Sequence, residues 1–177
     1  MKTIVVYKSK TGFTKRYAEW IADELKCDIS EYKNISGTSV VRYDLIIFGS
    51  RLHAGRIDGL DKIKELIAHN GNSDLIVFAT GAMPAAAENT LEEIWRSNFT
   101  EDELNKTPHF YMQGGLDYEK MGMFDRFLMK AFATALRKKR NKTQEEISTE
   151  QAIKSSFDAS SREYIAPLIQ YVNSIIT

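Results

Sequence analysis

A chain of 177 residues and 20.2 kDa has the length of one ordinary domain and buries roughly 70% of the surface its unfolded form exposes. Its 24 basic and 24 acidic side chains cancel, so whole-molecule attraction to nucleic acid or to a membrane is excluded and any charge effect is local. The single cysteine, Cys27, excludes an intramolecular disulfide and a cysteine-based zinc site, and it fits a reducing compartment such as the cytoplasm.

The segment Lys2–Tyr7 is a β-branched run that predicts a strand. Its apolar part is too short for a signal-peptide core, and no later stretch approaches the ~18 apolar residues of a spanning helix. The polar loop Lys8–Gly12 follows, and then Tyr17, Trp20, Ile21 and Leu25 fall at helical spacing. A short second strand fits Asp28–Tyr32, with a Ser/Gly/Thr loop through Ser39. The third strand, Asp44–Phe48, is continuously apolar over Leu45–Phe48, and so is the fourth, Leu75–Ala79, as a parallel strand covered on both faces requires. Between them Ile57, Leu60, Ile63, Leu66 and Ile67 predict a helix. Further along come a helix over Thr90–Asn98, a fifth strand over His109–Gln113, an amphipathic helix over Phe124–Leu136 and a closing helix over Ser161–Ile176. Strands alternating with helices specify an α/β doubly wound sheet. Ligands of such sheets sit beyond the carboxyl ends of the strands, which directs attention to the loops Lys8–Phe13, Gly49–Arg56, Thr80–Pro84 and Gly114–Tyr118.

The first of these reads Ser9-Lys10-Thr11-Gly12-Phe13-Thr14-Lys15 and runs from the end of a strand into the first turn of a helix. A helix N-terminus offers free N–H groups and partial positive charge, while Ser9, Thr11 and Thr14 add hydroxyls, so the loop suits a phosphate. The same residue types also serve as ordinary helix caps. The loop Thr80-Gly81-Ala82-Met83-Pro84 is small enough to bring backbone against a ligand, or to be a plain turn. His53, His69 and His109 lack metal-ligand spacing, no Gly-x-Ser-x-Gly elbow occurs, and Cys27 lies away from the functional edge.

Hydroxyl-x-Thr-Gly-x-Thr directly after the first strand resembles the FMN phosphate loop of flavodoxin-like proteins. Gly114-Gly115-Leu116-Asp117-Tyr118, followed by Met123-Phe124-Asp125-Arg126-Phe127-Leu128-Met129-Lys130, resembles the segment after the fifth strand in menaquinone-dependent protoporphyrinogen oxidases. The resemblance implies a five-stranded parallel sheet in the order 2-1-3-4-5 with helices on both faces. It implies one domain over residues 1–177 with a helical insertion around 117–142. It further implies noncovalent FMN, held by Ser9, Lys10, Thr11, Gly12, Phe13 and Thr14, by Ser50, Arg51, Leu52, His53, Ala54 and Gly55, by Thr80, Gly81, Ala82 and Met83, and by Gly114, Gly115, Leu116 and Tyr118. The implied chemistry is oxidation of a porphyrinogen with a quinone as acceptor, with His53 and Arg51 as candidate catalytic residues. A flavodoxin-type electron carrier without a small substrate is the alternative; zero net charge stands against it, since carriers of that type are strongly acidic around the flavin. Those oxidases carry an Arg-Tyr pair before the glycine after strand three, whereas this chain has Ser50-Arg51-Leu52-His53-Ala54-Gly55, which leaves the substrate open.

The segment Asp117–Lys142 is longer than a plain return from strand five. Phe124, Phe127, Leu128, Ala131, Phe132 and Ala135 form one apolar stripe, with Arg126, Lys130 and Arg137 on the other face and Arg137-Lys138-Lys139-Arg140 and Lys142 at the end. Two readings follow: the stripe packs on the domain and the cations complement the helix dipole, or the helix forms a rim beside the flavin and meets either an anionic membrane surface that holds a quinone, on the cytoplasmic side, or the carboxylates of a porphyrin.

Overall fold

The computed structural model describes residues 1–70 and 73–176. The β-branched run after Lys2 forms β1 (Thr3–Lys8), which pairs with the apolar β3 (Leu45–His53), and β3 pairs in turn with β5 (Asp74–Gly81). With β2 (Asp28–Glu31) at one edge and β6 (His109–Gln113) at the other, the order is β2-β1-β3-β5-β6 and every pairing along it is parallel. This is the expected 2-1-3-4-5 order. Its numbering is shifted by a short extra strand, β4 (Arg56–Ile57), which pairs antiparallel with β3 off that path.

Side chains alternate across the sheet. Val5, Leu45, Ile47, Ile76 and Phe78 pack with α1 (Phe13–Leu25) and α8 (Ala166–Ile176), whereas Ile4, Val6, Ile46, Phe48 and Val77 pack with α3 (Leu60–Asn70) and α4 (Glu88–Asn98). Each fully buried aliphatic or phenylalanine side chain contributes about 1.5–3 kcal/mol over exposure. A Cβ on Gly49 would lie 1.9 Å from the ring of Phe78, its cross-strand partner, so the buried ring occupies the space a side chain would need. Cys27 is half-buried, and burial pushes its thiol up to about 11, so it stays protonated and unreactive at neutral pH.

Several elements depart from the sequence expectation. Residues 49–56 are not a loop: β3 continues to His53 and turns into β4 through Ala54 and Gly55, whose φ angles of 49° and 77° meet the requirement of a type I′ hairpin. The buried Asn98 holds this hairpin, its Oδ1 accepting from Ile57 N–H and its Nδ2 donating to the Gly55 carbonyl, both at 2.8 Å. The expected loop through Ser39 contains a 3-10 turn at Tyr32–Asn34 and the one-turn α2 (Gly37–Val40). Two unexpected helices, α5 (Glu101–Lys106) and α7 (Gln144–Ala152), both open on Thr-x-x-Glu capping boxes, at Thr100 with Glu103 and at Thr143 with Glu146. The closing segment begins as a 3-10 turn, Arg162–Ile165, before α8, which accepts Pro167 in its first turn.

The largest correction concerns α6 (Met123–Lys138). The apolar stripe Phe124, Phe127, Leu128, Ala131, Phe132 and Ala135 does not pack on the domain; all six are exposed, Phe124 by 67% and Phe127 by 66%. The inward face is Asp125, Met129, Ala133 and Leu136, of which the last three close a small apolar cluster with Leu116 and Ile153. Beside it β7 (Gly115–Leu116) and β8 (Phe157–Asp158) form an antiparallel pair, and a Cβ on Gly115 would lie 2.1 Å from the Phe157 carbonyl, so this close approach requires glycine. No described helix is long and apolar enough to cross a membrane.

Candidate functional site

The carboxyl ends of β1, β3, β5 and β6 surround a cavity of about 790 Å³. The loop after β1 contributes Thr11, Phe13 and Thr14, and the end of β3 with its hairpin contributes Arg51, Leu52, His53 and Ala54. Thr80, Gly81, Ala82 and Met83 come from the end of β5, and Gly114, Gly115 and Leu116 from beyond β6. Over them lie α6, with Asp125, Leu128, Met129 and Phe132, and α7, with Ser148, Thr149, Ala152 and Ile153. The walls are mainly apolar, and the size is that of an ordinary small-molecule site.

At one end α1 opens on the cavity wall. Its first intrahelical bond runs from Arg16 N–H to the Gly12 carbonyl, so the N–H groups of Phe13, Thr14 and Lys15 precede the ladder and lack intrahelical acceptors. Ser9 Oγ accepts from Gly12 N–H at 3.2 Å and sets the turn. The Thr14 hydroxyl is buried and lies 2.7 Å from that of Thr80, tying the start of α1 to the end of β5. One of its hydrogen bonds is therefore already committed, and Thr11 carries the less encumbered hydroxyl at this end.

Asp125 joins α6 to the sheet and to the loop after β1. Its Oδ2 accepts from Lys10 Nζ at 2.8 Å and Arg51 Nη1 at 3.0 Å, and its Oδ1 lies 3.1 Å from His53 Nε2. The hydrogen bond from Lys10, joined by Arg51 and outweighing burial, holds the Asp125 carboxyl down at about 2. Asp58 receives Lys8 at 2.7 Å and lies 3.6 Å from Arg51 Nε; burial works against its ionisation, but Lys8 and Arg51 prevail and keep its carboxyl below the ordinary range.

Six of the sequence-derived site residues lie outside the cavity wall. Ser9 and Gly12 shape the turn, Lys10 reaches Asp125 from the rim, and Gly55 sits in the hairpin. The Ser50 hydroxyl donates to the Asp58 carbonyl at 2.6 Å, and the Tyr118 hydroxyl donates to the Ile153 carbonyl at 2.5 Å, so both are spent on the scaffold. The sequence reading missed Asp125 as a site residue, along with Met129 and the α7 wall. Its available signal was an acid standing alone in a sixteen-residue helix, four positions before an inward Met129.

The family profile of the flavodoxin domain matches residues 4–144. The chain belongs to the flavodoxin domain family. An uncharacterized protein of Methanocaldococcus jannaschii is 34% identical over 90 residues, which cover 48% of this chain and 57% of that relative, so the chain matches little more than half of the relative's length. Among solved structures, a flavoprotein from Lactobacillus acidophilus NCFM in complex with FMN is similar at 20% identity, over 63% of this chain and 91% of that one, with a TM-score of 0.45. A flavodoxin from the domain Archaea is similar at 17% identity over 88% and 100% of the two chains, with a TM-score of 0.42.

The Asp125 cluster makes stability depend on acidity in a defined direction. Its native pKa of about 2 lies below the ordinary 3.8, so between those values the unfolded chain binds the extra proton. The contribution is therefore complete above about pH 4 and is lost as pH falls through 2. For a side chain that is only 10% exposed it amounts to about 2 kcal/mol. Urea unfolding of wild type and Asp125→Asn across pH 2–6 should show a stability difference that shrinks by that amount on acidification; a difference independent of pH would mean the cluster does not hold the carboxylate.

Proposed function

We propose that this chain binds FMN noncovalently in the cavity at the carboxyl edge of the sheet and works as an FMN-dependent oxidoreductase on an organic substrate admitted to the same cavity. The observation that carries this reading is the half-open, mainly apolar cavity walled by the N-terminus of α1 and by the Arg51–Asp125 pair. The residues present fit the cofactor: Thr11, Thr14 and the first-turn amides of α1 suit its phosphate, while Thr80–Met83 and Gly114–Leu116 supply close-approaching backbone on two sides of a flat ring. FMN, when bound, supplies the redox chemistry. The protein's own part is to hold the phosphate, to exclude water beneath α6 and α7, and to keep Arg51 and His53 at the substrate side of the wall. Replacing Thr11 by Val removes a hydrogen bond to a charged acceptor, worth about 1.5–3 kcal/mol. FMN titration should show an affinity roughly tenfold weaker or more, with little change in stability. Thr14→Val should weaken both, because it also strips Thr80 of its partner. Unchanged FMN affinity in both variants would remove the phosphate from this loop.

The finer reading is a porphyrinogen as reductant and a quinone as oxidant. It is supported by the resemblance of the Gly114–Tyr118 and Met123–Lys130 segments to menaquinone-dependent protoporphyrinogen oxidases. An electron carrier needs its flavin edge open to protein partners, and the roof of α6 and α7 disfavours that role here. Anaerobic mixing with protoporphyrinogen should bleach the flavin, and a menaquinone analogue should restore its colour. Indifference to porphyrinogen together with fast exchange with a reductase protein would select the carrier.

The outer face of α6 supports docking on an anionic membrane, the place where a quinone resides. Phe124, Phe127 and Phe132 are exposed beside the cations Lys130, Arg137, Lys138 and Arg140, the pattern of an interfacial helix. Lys139 and Lys142 contribute less, because they pair with Glu146 and Glu150 at 2.5 Å each. Near an anionic bilayer each cation contributes about 1 kcal/mol. Co-sedimentation with vesicles of phosphatidylserine and phosphatidylcholine should be salt-sensitive and should be lost in Phe124→Ser/Phe127→Ser; equal adsorption of the two proteins would leave this face without a membrane role.

A further inference from the structure

We propose that Lys10, Arg51 and His53 form a binding site for the carboxylate of an apolar organic acid, and that Asp125 of α6 fills this site while the roof is closed. The donors belong to the sheet side of the cavity: Lys10 to the loop after β1, Arg51 and His53 to the end of β3. They converge on both oxygens of one carboxylate, within 2.8 to 3.1 Å. That carboxylate comes from the only acidic residue of α6.

The charges explain why the place demands an anion. With α6 lifted away, Lys8, Lys10 and Arg51 would face Asp58 alone, and Asp58 already lies 2.7 Å from Lys8 and 3.6 Å from Arg51. Cations gathered without a counter-charge repel one another. An incoming carboxylate relieves that repulsion in the open form as Asp125 does in the closed one. The donors are also reachable before the roof moves: the side chains of Lys10, His53 and Arg51 are 42, 37 and 24% exposed, whereas that of Asp125 is 10% exposed. An external anion therefore engages the donors first and then displaces Asp125.

The surroundings set the class of ligand. Among the described residues, Arg51 and Asp125 are the only formally charged ones of the cavity wall, with His53 beside them, and Leu52, Leu128, Met129 and Phe132 also line it. A carboxylate here would lay an apolar body against those side chains. A phosphate has its own donors in the free first-turn amides of α1 and the Thr11 hydroxyl. Little apolar burial opposes opening, because the cluster beneath α6 has only Leu116, Leu136 and Ile153 buried and the helix carries Phe124 and Phe127 outward. The ligand shifts the roof only through its greater affinity for the open form, which alone has the donors vacant.

This goes beyond the flavin reading, since binding of the acid does not require the cofactor. The test is calorimetric titration of the purified full chain, its flavin content recorded, with sodium octanoate and separately with inorganic phosphate. Wild type, Asp125→Ser, Asp125→Asn, and Asp125→Ser combined with Lys10→Gln would be compared, with circular dichroism as the check on folding. Losing the internal competitor should tighten octanoate binding about tenfold in Asp125→Ser and in the same direction in Asp125→Asn, and Lys10→Gln should cancel the gain. In wild type, saturating octanoate should speed hydrogen exchange of the amides over 126–138, the first of which donates to the Gly122 carbonyl. Octanoate bound no more tightly by folded Asp125 variants, phosphate bound in preference to octanoate, or α6 exchange unmoved by octanoate would each overturn the proposal. The exchange measurement decides by itself if neither variant folds. A chain that shows the octanoate pattern but binds no FMN would sink the cofactor reading alone.

Discussion

Burial of the parallel sheet on both faces constrains everything else in this molecule. The strands β1, β3 and β5 send alternate side chains into two apolar layers, and neither layer can accept an unsatisfied polar group without a cost of the order of 1–3 kcal/mol. Polar and charged side chains with chemistry to perform are thereby driven to the carboxyl edge, where backbone donors and helix N-termini already gather. That edge is firmly anchored. The buried Tyr17 hydroxyl donates to the Gln113 carbonyl at 2.5 Å and accepts from Ser161 N–H at 3.1 Å, joining α1, the end of β6 and the approach to α8 in one knot.

Within that edge a single carboxylate fixes the attitude of α6. Taking Asp125 out of water is unfavourable by itself, and only its three donors make it tolerable. A rotation of the helix that buried Phe124 and Phe127 would expel Asp125 and leave Lys10 and Arg51 without it. Such paired charges add little to net stability against an apolar replacement, but they discriminate strongly between orientations. The apolar stripe therefore faces outward despite its composition. Molecular neutrality is compatible with this arrangement because the charges are sorted locally: three fixed cations meet two carboxylates around the mouth of the cavity.

What the sequence disclosed followed from how local each signal was. The continuous runs at Ile4–Tyr7, Leu45–Phe48 and Leu75–Ala79 reveal central strands because burial on both faces leaves no polar position to confuse them. His109–Gln113 is legible to the residue. β3 was cut short because Gly49, Ser50 and Arg51 interrupt its apolar run, although the first accommodates Phe78, the second binds the Asp58 carbonyl and the third reaches Asp125. Those reasons are tertiary, and no window of neighbouring residues contains them. The lone acid in α6 is visible in the sequence, but the partners of Asp125 are not, since Lys10 stands 115 positions away and Arg51 74. The capping boxes at Thr100 and Thr143 are different: their signal is local, and Thr-x-x-Glu marks the starts of α5 and α7 in the sequence itself. Of the candidate site, the ends of β5 and β6 and the start of α1 were legible; the roof was not, because helical spacing shows that a stripe exists and not which face turns inward.

The roof unites two properties that a small protein usually keeps apart. Leu128 and Phe132 line the cavity and yet are substantially exposed, so the outer aromatic face of α6 runs without a break into the inner wall. Asp125 lies on the same helix, three positions before Leu128 and seven before Phe132, and ties its first turn to the sheet. A helix is stiff over this length, and its side chains cannot move independently of its axis. Any surface that takes up Phe124 and Phe127 thus acts on the lever that holds Asp125 among Lys10, Arg51 and His53, and any anion that takes those donors frees the same lever from inside. Access to the cavity and contact with an outer surface are mechanically one coordinate in this architecture.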